Sequence, residues 1–288
     1  MSFAVICTTK EAGVTSFQSL RAVKAAYPAQ KVGHTGTLDR FAGGLMIVLV
    51  GEATRLNPFF TGFDKSYRAV MMFGVQTDTL DPEGAVVRDG GRIPSLAEIE
   101  AVLPSFTGKT LQRPPVYSAI HVGGKRAYRE ARKGREIEMP EREIEISRLS
   151  IVSYDPPYLA FDASVSKGTY IRSLARDIAL SLGSCAHLTA LDRYRVGPFD
   201  SSRLTGIPAS LQESEANISL VIRGRIDAAP WALGSIANGY FPPRCIESII
   251  YAGMSYFRLY SEERFLGVVE RKEDGRYKVV CLVSRENI

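Results

Sequence analysis

Residues 45–50 read Leu-Met-Ile-Val-Leu-Val, six apolar side chains with no polar interruption. Successive side chains of a strand point to opposite faces, so a strand without alternation is buried on both. Any fold for this chain therefore needs a fully buried strand at this point. Residues 158–166 behave differently: Leu159, Phe161, Ala163 and Val165 alternate with polar or small neighbours, the pattern of a half-buried strand. Further strands are expected over 3–9, 66–73, 114–122 and 143–154. A helix is expected from a Thr15 or Ser16 cap, with Phe17, Leu20 and Val23 at helical spacing. Ser95 and Glu98 form a capping box opening another helix through Leu103. The alternating strand runs through Lys167-Gly168 into a helix with Ile171, Leu174, Ile178 and Leu182 on one side. Strands and helices mix without a regular βαβ rhythm, so the class expected is α+β with a mixed sheet.

The texture changes after residue 228. The stretch 230–244, "PWALGSIANGYFPPR", reads as a linker or loop, followed by short strands at 256–260, 264–270 and 276–283 with turns at Glu262-Glu263 and Asp274-Gly275. A large first domain (1–228) and a small β-rich module (229–288) are expected. With 288 residues, 45% hydrophobic and 23% charged, the chain has ordinary globular usage, which argues against disordered and fibrous classes. No apolar run approaches the roughly 20 residues of a membrane span, and the amino terminus lacks the charged and apolar regions of a signal peptide. Cys7, Cys185, Cys245 and Cys281 show no ligand spacing, and there are only three histidines. Reduced thiols in a cytoplasmic protein, with no metal site, are the expectation. The net charge of +5 hints at a polyanionic partner. Residues 125–135 hold six basic residues and one acid. If helical, Lys125, Arg129 and Arg132/Lys133 share a face, which suits either a solvated surface or a row of phosphates.

Before the buried strand comes "KVGHTGTLDRFAGG" (31–44), a loop with more polar equipment than a turn requires, built around one acid, Asp39. An Asp after Thr-Leu serves by itself as a turn or cap residue. Likewise Tyr67 in a strand reads as core, Arg172 as a surface charge, Leu191 as core and His34 as a loop cap. Context changes these readings.

The loop resembles the catalytic loop of the TruB-type tRNA pseudouridine synthases. The resemblance extends through ordered blocks: "KEAGVTS" (10–16), "GEATRL" (51–56), "DKSYRA" (64–69), "GVQTDTLDPEG" (74–84), "PPVYSAIHVGGKRAY" (114–128) and "SKGTYIRSLARDIALSLGSCAHLTAL" (166–191). It covers roughly residues 3 to 205. It implies a pseudouridine synthase fold, with a mixed, mainly antiparallel central sheet flanked by helices, an RNA-binding insertion at about 108–142 and a PUA-like RNA-binding carboxy-terminal domain. By the same resemblance Asp39 is the catalytic carboxylate and Arg172 its partner. Tyr67 packs on the target base, Leu191 walls the base pocket, and His34 helps extract the nucleotide. Lys10 lies near the site floor, and Tyr170 joins the substrate-binding set. The insertion would bring Lys125, Arg126, Arg129, Arg132 and Lys133 to the RNA backbone.

The implied reaction isomerises uridine 55 in the T loop of tRNA: the N1–C1′ bond breaks, the uracil turns, and C5 joins C1′. Nothing is oxidised or added, so no cofactor is expected, in agreement with the absence of a P-loop or dinucleotide fingerprint. A carboxylate serves such a reaction as nucleophile or as base. A second reading, a non-catalytic RNA chaperone, has no need of Asp39, Tyr67 and Arg172 together. A third is a guide-RNA-dependent relative; the short carboxy-terminal region and lack of basic tails favour a stand-alone tRNA enzyme, expected to be monomeric and to need no guide RNA. Four positions depart from the family pattern: Arg40 stands where proline is usual, Ala42-Gly43-Gly44 replaces Ala-Thr/Ser-Gly, Glu11 replaces proline, and Asp192 stands where a basic residue is common. A looser Asp39 loop and an Arg40 facing RNA phosphate are the expected consequences.

Overall fold

The computed structural model describes residues 3–118, 120–122, 124–127, 138–251 and 253–284. Its main sheet has eight strands: β1 (Phe3–Lys10), β2 (Val32–His34), β3 (Gly43–Gly51), β4 (Lys65–Phe73), β7 (Gly108–Gln112), β10 (Arg142–Asp155), β11 (Tyr158–Val165) and β12 (Ala186–Val196). Their order is β1-β3-β12-β4-β11-β10-β7, with β2 also on β3. Every pairing is antiparallel except β3 with β12, which run parallel through Gly43–Asp192 and Gly44–Arg193. Two short hairpins lie off this sheet, β5 (Gln76–Thr77) with β6 (Val86–Arg88), and β8 (His121–Val122) with β9 (Lys125–Arg126). A second sheet, ordered β14-β13-β15-β16-β17, comprises β13 (Gly224–Ala228), β14 (Ile246–Ile250), β15 (Tyr256–Ser261), β16 (Arg264–Arg271) and β17 (Tyr277–Leu282).

The unbroken apolar run on β3 has its cover on both faces. Met46, Val48 and Val50 enter a core with Leu174, Ala175 and Ile178 of the helix Ile171–Ser181. Leu45, Ile47 and Leu49 enter a second core with Phe60, Phe199, Ile218 and, from the other sheet, Phe265, Val268 and Cys281. The carboxy-terminal sheet thus packs on the back of the main sheet as well as on its own core of Ile226, Ile236 and Phe257. Truncating a buried leucine or isoleucine in either layer should cost about 2–5 kcal/mol.

The helix Ile171–Ser181 buries Ile171, Leu174, Ala175 and Ile178, the i, i+3, i+4, i+7 stripe. Gly183, at φ 66°, ends it: the Gly183 amide donates to Leu180 O and the Ser184 amide to Ala179 O, a Schellman closure. The Ser95–Glu98 capping box opens the helix Leu96–Val102. Other expectations shift. Phe17 is exposed, and its helix begins as a 3-10 turn at Gln18, with Thr15 Oγ1 accepting the Gln18 amide at 3.2 Å. Of the strand expected at 114–122, only His121–Val122 is one among the described residues. The stretch expected to be loop holds a 3-10 turn (Pro230–Ala232) and a helix (Leu233–Ala237). The second sheet begins at Gly224, ahead of the expected boundary at 228, because β13 pairs in parallel with β15. Lys125 and Arg126 lie on a strand, not a helix, while Arg129, Arg132 and Lys133 lie outside the described residues.

Candidate active site

Asp39 lies in the 35–42 loop between β2 and β3, on a cleft of about 770 Å³ also lined by Tyr67, Asp81, Tyr170, Arg172 and Leu191. The Arg172 side chain, 5% exposed, reaches it from the second residue of the helix Ile171–Ser181. Arg172 Nε stands 2.9 Å from Asp39 Oδ2, and Nη2 donates to Oδ1 at 3.2 Å. The same guanidinium donates through Nη1 to Asp81 Oδ2 at 3.0 Å and to Thr79 O at 2.7 Å, and through Nη2 to Tyr117 O at 3.0 Å. One forked cation thus joins two carboxylates and two loops. Burial pushes the Asp39 carboxyl above its ordinary range; Arg172 and, further off, Lys10 oppose that, while Asp81 adds to it.

The loop is anchored from below. Lys10, 2% exposed, donates from Nζ to Glu11 O (3.0 Å), Arg40 O (3.2 Å) and Ala42 O (2.5 Å). Its ammonium therefore holds the loop and does not line the cleft; burial pulls its pKa down. Of the two glycines, Gly43 stands where the family pattern has Thr or Ser, and a Cβ there would meet only ordinary contacts, Asp192 Oδ1 at 3.4 Å and Lys10 O at 3.5 Å. Gly44 has φ 111°, and a Cβ there would meet the Arg193 N and O at 2.4 Å, so glycine lets β3 and β12 approach. Arg40 is turned toward protein: Nε donates to Gly13 O at 2.9 Å and stands 3.7 Å from Glu83 Oε1.

Tyr67 and Leu191, 9% and 8% exposed, sit on the neighbouring strands β4 and β12, and both line the cleft. Burial raises the Tyr67 phenol. Tyr170 caps the helix; its amide donates to Gln112 Oε1 at 2.8 Å and its carbonyl accepts from Gln112 Nε2 at 3.1 Å, tying β7 to the site. His34 is half-buried on β2, outside the cleft lining, with burial and Arg193 lowering its pKa. His187 keeps a structural bond to Val75 O. Two residues escaped sequence reasoning. Asp81, in the block 74–84, is the second anion on Arg172. Arg193, 3% exposed, donates from Nε to Leu45 O at 2.9 Å and from Nη2 to Gly36 O at 3.1 Å, clamping both flanks of the Asp39 loop. The signal for both was position inside a matching or adjacent block; neither stands beside Asp39 in sequence. Among the described residues no cluster of His, Cys, Asp and Glu could hold a metal ion, and no helix is long and apolar enough to cross a membrane.

Comparison with known proteins falls on the same segments. Residues 24–171 match the model of the TruB family pseudouridylate synthase N-terminal domain. The chain is 36% identical to tRNA pseudouridine synthase B of Borreliella burgdorferi (strain ZS7) over 98% of this chain and 100% of that protein. It is 41% identical to the Treponema denticola protein of the same name, over 78% of this chain and 69% of that one. Among solved structures, an H/ACA RNP bound to a substrate RNA containing 2′-deoxyuridine and a Cbf5-Nop10-Gar1 complex each give a TM-score of 0.65. Both alignments cover 98% of this chain and 83% of the matched chain, at 19% and 21% identity, a likeness of fold. On the family match and these identities, the chain belongs to the TruB family of pseudouridylate synthases.

Proposed function

We propose that this protein isomerises uridine 55 in the T loop of tRNA to pseudouridine, with Asp39 as the catalytic carboxylate. The observation that carries the reading is the Asp39–Arg172 pair at the cleft, one carboxylate held by a forked guanidinium that is itself buried. Burial pushes this carboxyl up and the guanidinium opposes that push, favouring the ionised form. The relatives named tRNA pseudouridine synthase B support tRNA as the substrate.

In the reaction the N1–C1′ bond breaks and a C5–C1′ bond forms. The proton on C5 is lost and N1 gains one, so the product is an isomer. The ionised Asp39 serves as nucleophile or base. Tyr67 offers its ring to the extruded uracil, with Leu191 as the apolar wall, and taking the base from its stack costs a few kcal/mol. His34 assists extraction, Tyr170 lines the substrate side, and Lys10 sets the loop. Residues 1–228 act as the catalytic domain, with the insertion at 108–142 and the module at 229–288 holding RNA. The protein acts in the cytoplasm as a monomer on the tRNA T arm, without guide RNA. Incubating it with an unmodified T-arm stem-loop alone should give pseudouridine at position 55. Tight binding with no conversion would overturn the reading.

A further inference from the structure

The cleft has a second wall, built from cations. Lys65, Lys167 and Arg193 all line it. Lys65 opens β4, where it pairs with Val165 of β11 and Val196 of β12; Lys167 follows Val165 by two residues, and Arg193 lies across from Tyr67 on β12. The three therefore gather at one end of three adjacent strands. Among the described residues none of them forms an ion pair with a carboxylate, in contrast to Arg172. Arg193 is buried, and its partners among the described residues are neutral: the carbonyls of Leu45 and Gly36 and the phenol of Tyr67. Lys65 Nζ donates to Thr61 O at 3.1 Å and Phe63 O at 2.5 Å, which leaves one of its three N–H groups. Burial first, then Arg193 and Lys167, pull this lysine down to about 8, with Asp64 alone pushing the other way. An anion beside it would relieve that cost.

Two further groups face the same space. Thr169 also lines the cleft, and its Oγ1 is buried without a hydrogen-bond partner among the described residues. The helix that follows, Ile171–Ser181, opens with no side-chain cap and no acid in its first turn, so its N-terminal field is unopposed there except by the Asp39 and Asp81 carboxylates held on Arg172.

We propose that Lys65, Lys167 and Thr169, backed by Arg193, form a subsite for the backbone phosphate next to the nucleotide that enters the cleft. The subsite rests on the reading of RNA as substrate and adds where the strand is gripped at the reacting centre. It is separate from the basic segment 125–135. Its function is to set the register of the strand so that one sugar, and not its neighbour, stands over Asp39.

The test is a binding cycle. Unmodified T-arm stem-loops carrying a single neutral methylphosphonate, at each position around the target uridine in turn, are titrated against wild type, Lys167→Gln and Lys65→Gln at several salt concentrations. For wild type, one position should weaken binding more than its neighbours. The same substitution should cost nothing further in Lys167→Gln, whose slope of log affinity against log salt should be smaller by about 0.7–0.9. Penalties that add independently at every position, or an unchanged slope, would overturn the subsite. Lys167 is exposed, so its variant keeps the test valid if thermal unfolding shows that Lys65→Gln is destabilised. Because the readout is binding, its failure is distinct from a failure to form pseudouridine: conversion without the cycle sinks the subsite alone, and the cycle without conversion sinks the reaction alone.

Discussion

The two walls of the cleft treat charge in opposite ways. On one, Asp39, Arg172 and Asp81 close on each other, so every charge has a protein partner. On the other, Lys65, Lys167 and Arg193 lean on carbonyls or face the cleft. A carboxylate paired with a buried guanidinium has a fixed direction, which chemistry requires. A cation with only dipoles around it has electrostatic attraction left over, which a polyanion can take up. One wall thus has the geometry proposed for reaction, and the other the geometry proposed for holding RNA.

The sharpest break of this comparison is at Asp39. Asp39→Asn keeps shape but loses the charge, and should cut single-turnover pseudouridine formation by about 10⁴-fold or more. Binding of the T-arm stem-loop should stay within a few-fold of wild type. Turnover within tenfold of wild type would remove Asp39 from the chemistry.

Arg172→Lys follows. One ammonium cannot meet both Asp39 oxygens, Asp81 and the carbonyls of Thr79 and Tyr117, so the rate should fall by about 10²-fold. The pH profile carries the sign. With ionised Asp39 as the proposed active form, rate should rise with pH through a midpoint that burial places above the usual carboxylate value. A weaker cation partner moves that midpoint further up, and the deficit of the variant should narrow as pH increases. A pH-independent deficit would mean that Arg172 acts on geometry alone.

Much of this was legible in the chain, and for identifiable reasons. The run Leu45–Val50 announced a two-faced strand because side-chain alternation is a local property. The strands at 256–261, 264–271 and 277–282 were legible from their turns, where Glu262 and Glu263 take positive φ. The strand β12 was missed because "AHLTALDRYRV" breaks its alternation at two bulges, after Leu188 and after Arg193. Asp39 and Arg172 were legible through the motif blocks that carry them. The work of Arg193 was not, since it depends on a parallel contact between strands more than 140 residues apart in sequence, Gly44 with Arg193. Nor was the role of Gly44 as a spacer, which is visible only when Arg193 is beside it.

Beyond the cleft, the basic segment asks whether the holding wall continues along the RNA. Arg129→Ala, Arg132→Ala and Lys133→Ala combined should weaken binding and lower the salt slope by up to about 0.9 per lost phosphate contact, or about 0.7 on single strands. The effect should be similar on RNAs of different sequence, and the single-turnover rate at saturating RNA should change less than affinity. An unchanged affinity and slope would return the segment to a solvated surface.

The smallest expected effect tests the comparison from the other side. Arg40 is as close to Asp39 as sequence allows and is well exposed, so a simple count of charges near the site would assign it a phosphate. Its Nε is already committed to Gly13 O, and Glu83 lies within ion-pair distance. An exposed pair of this kind contributes about 0–1 kcal/mol, and its carboxylate cancels much of the field that RNA would feel. Arg40→Gln should therefore lower stability by no more than about 1 kcal/mol. It should leave the salt slope nearer to wild type than Lys167→Gln does, although Lys167 is far from Asp39 in sequence. Both slopes come from the same titration series. If Arg40→Gln reduces the slope as much as Lys167→Gln, then Arg40 leaves Gly13 and Glu83 to meet the RNA, and partnership within the protein is not what separates the two walls.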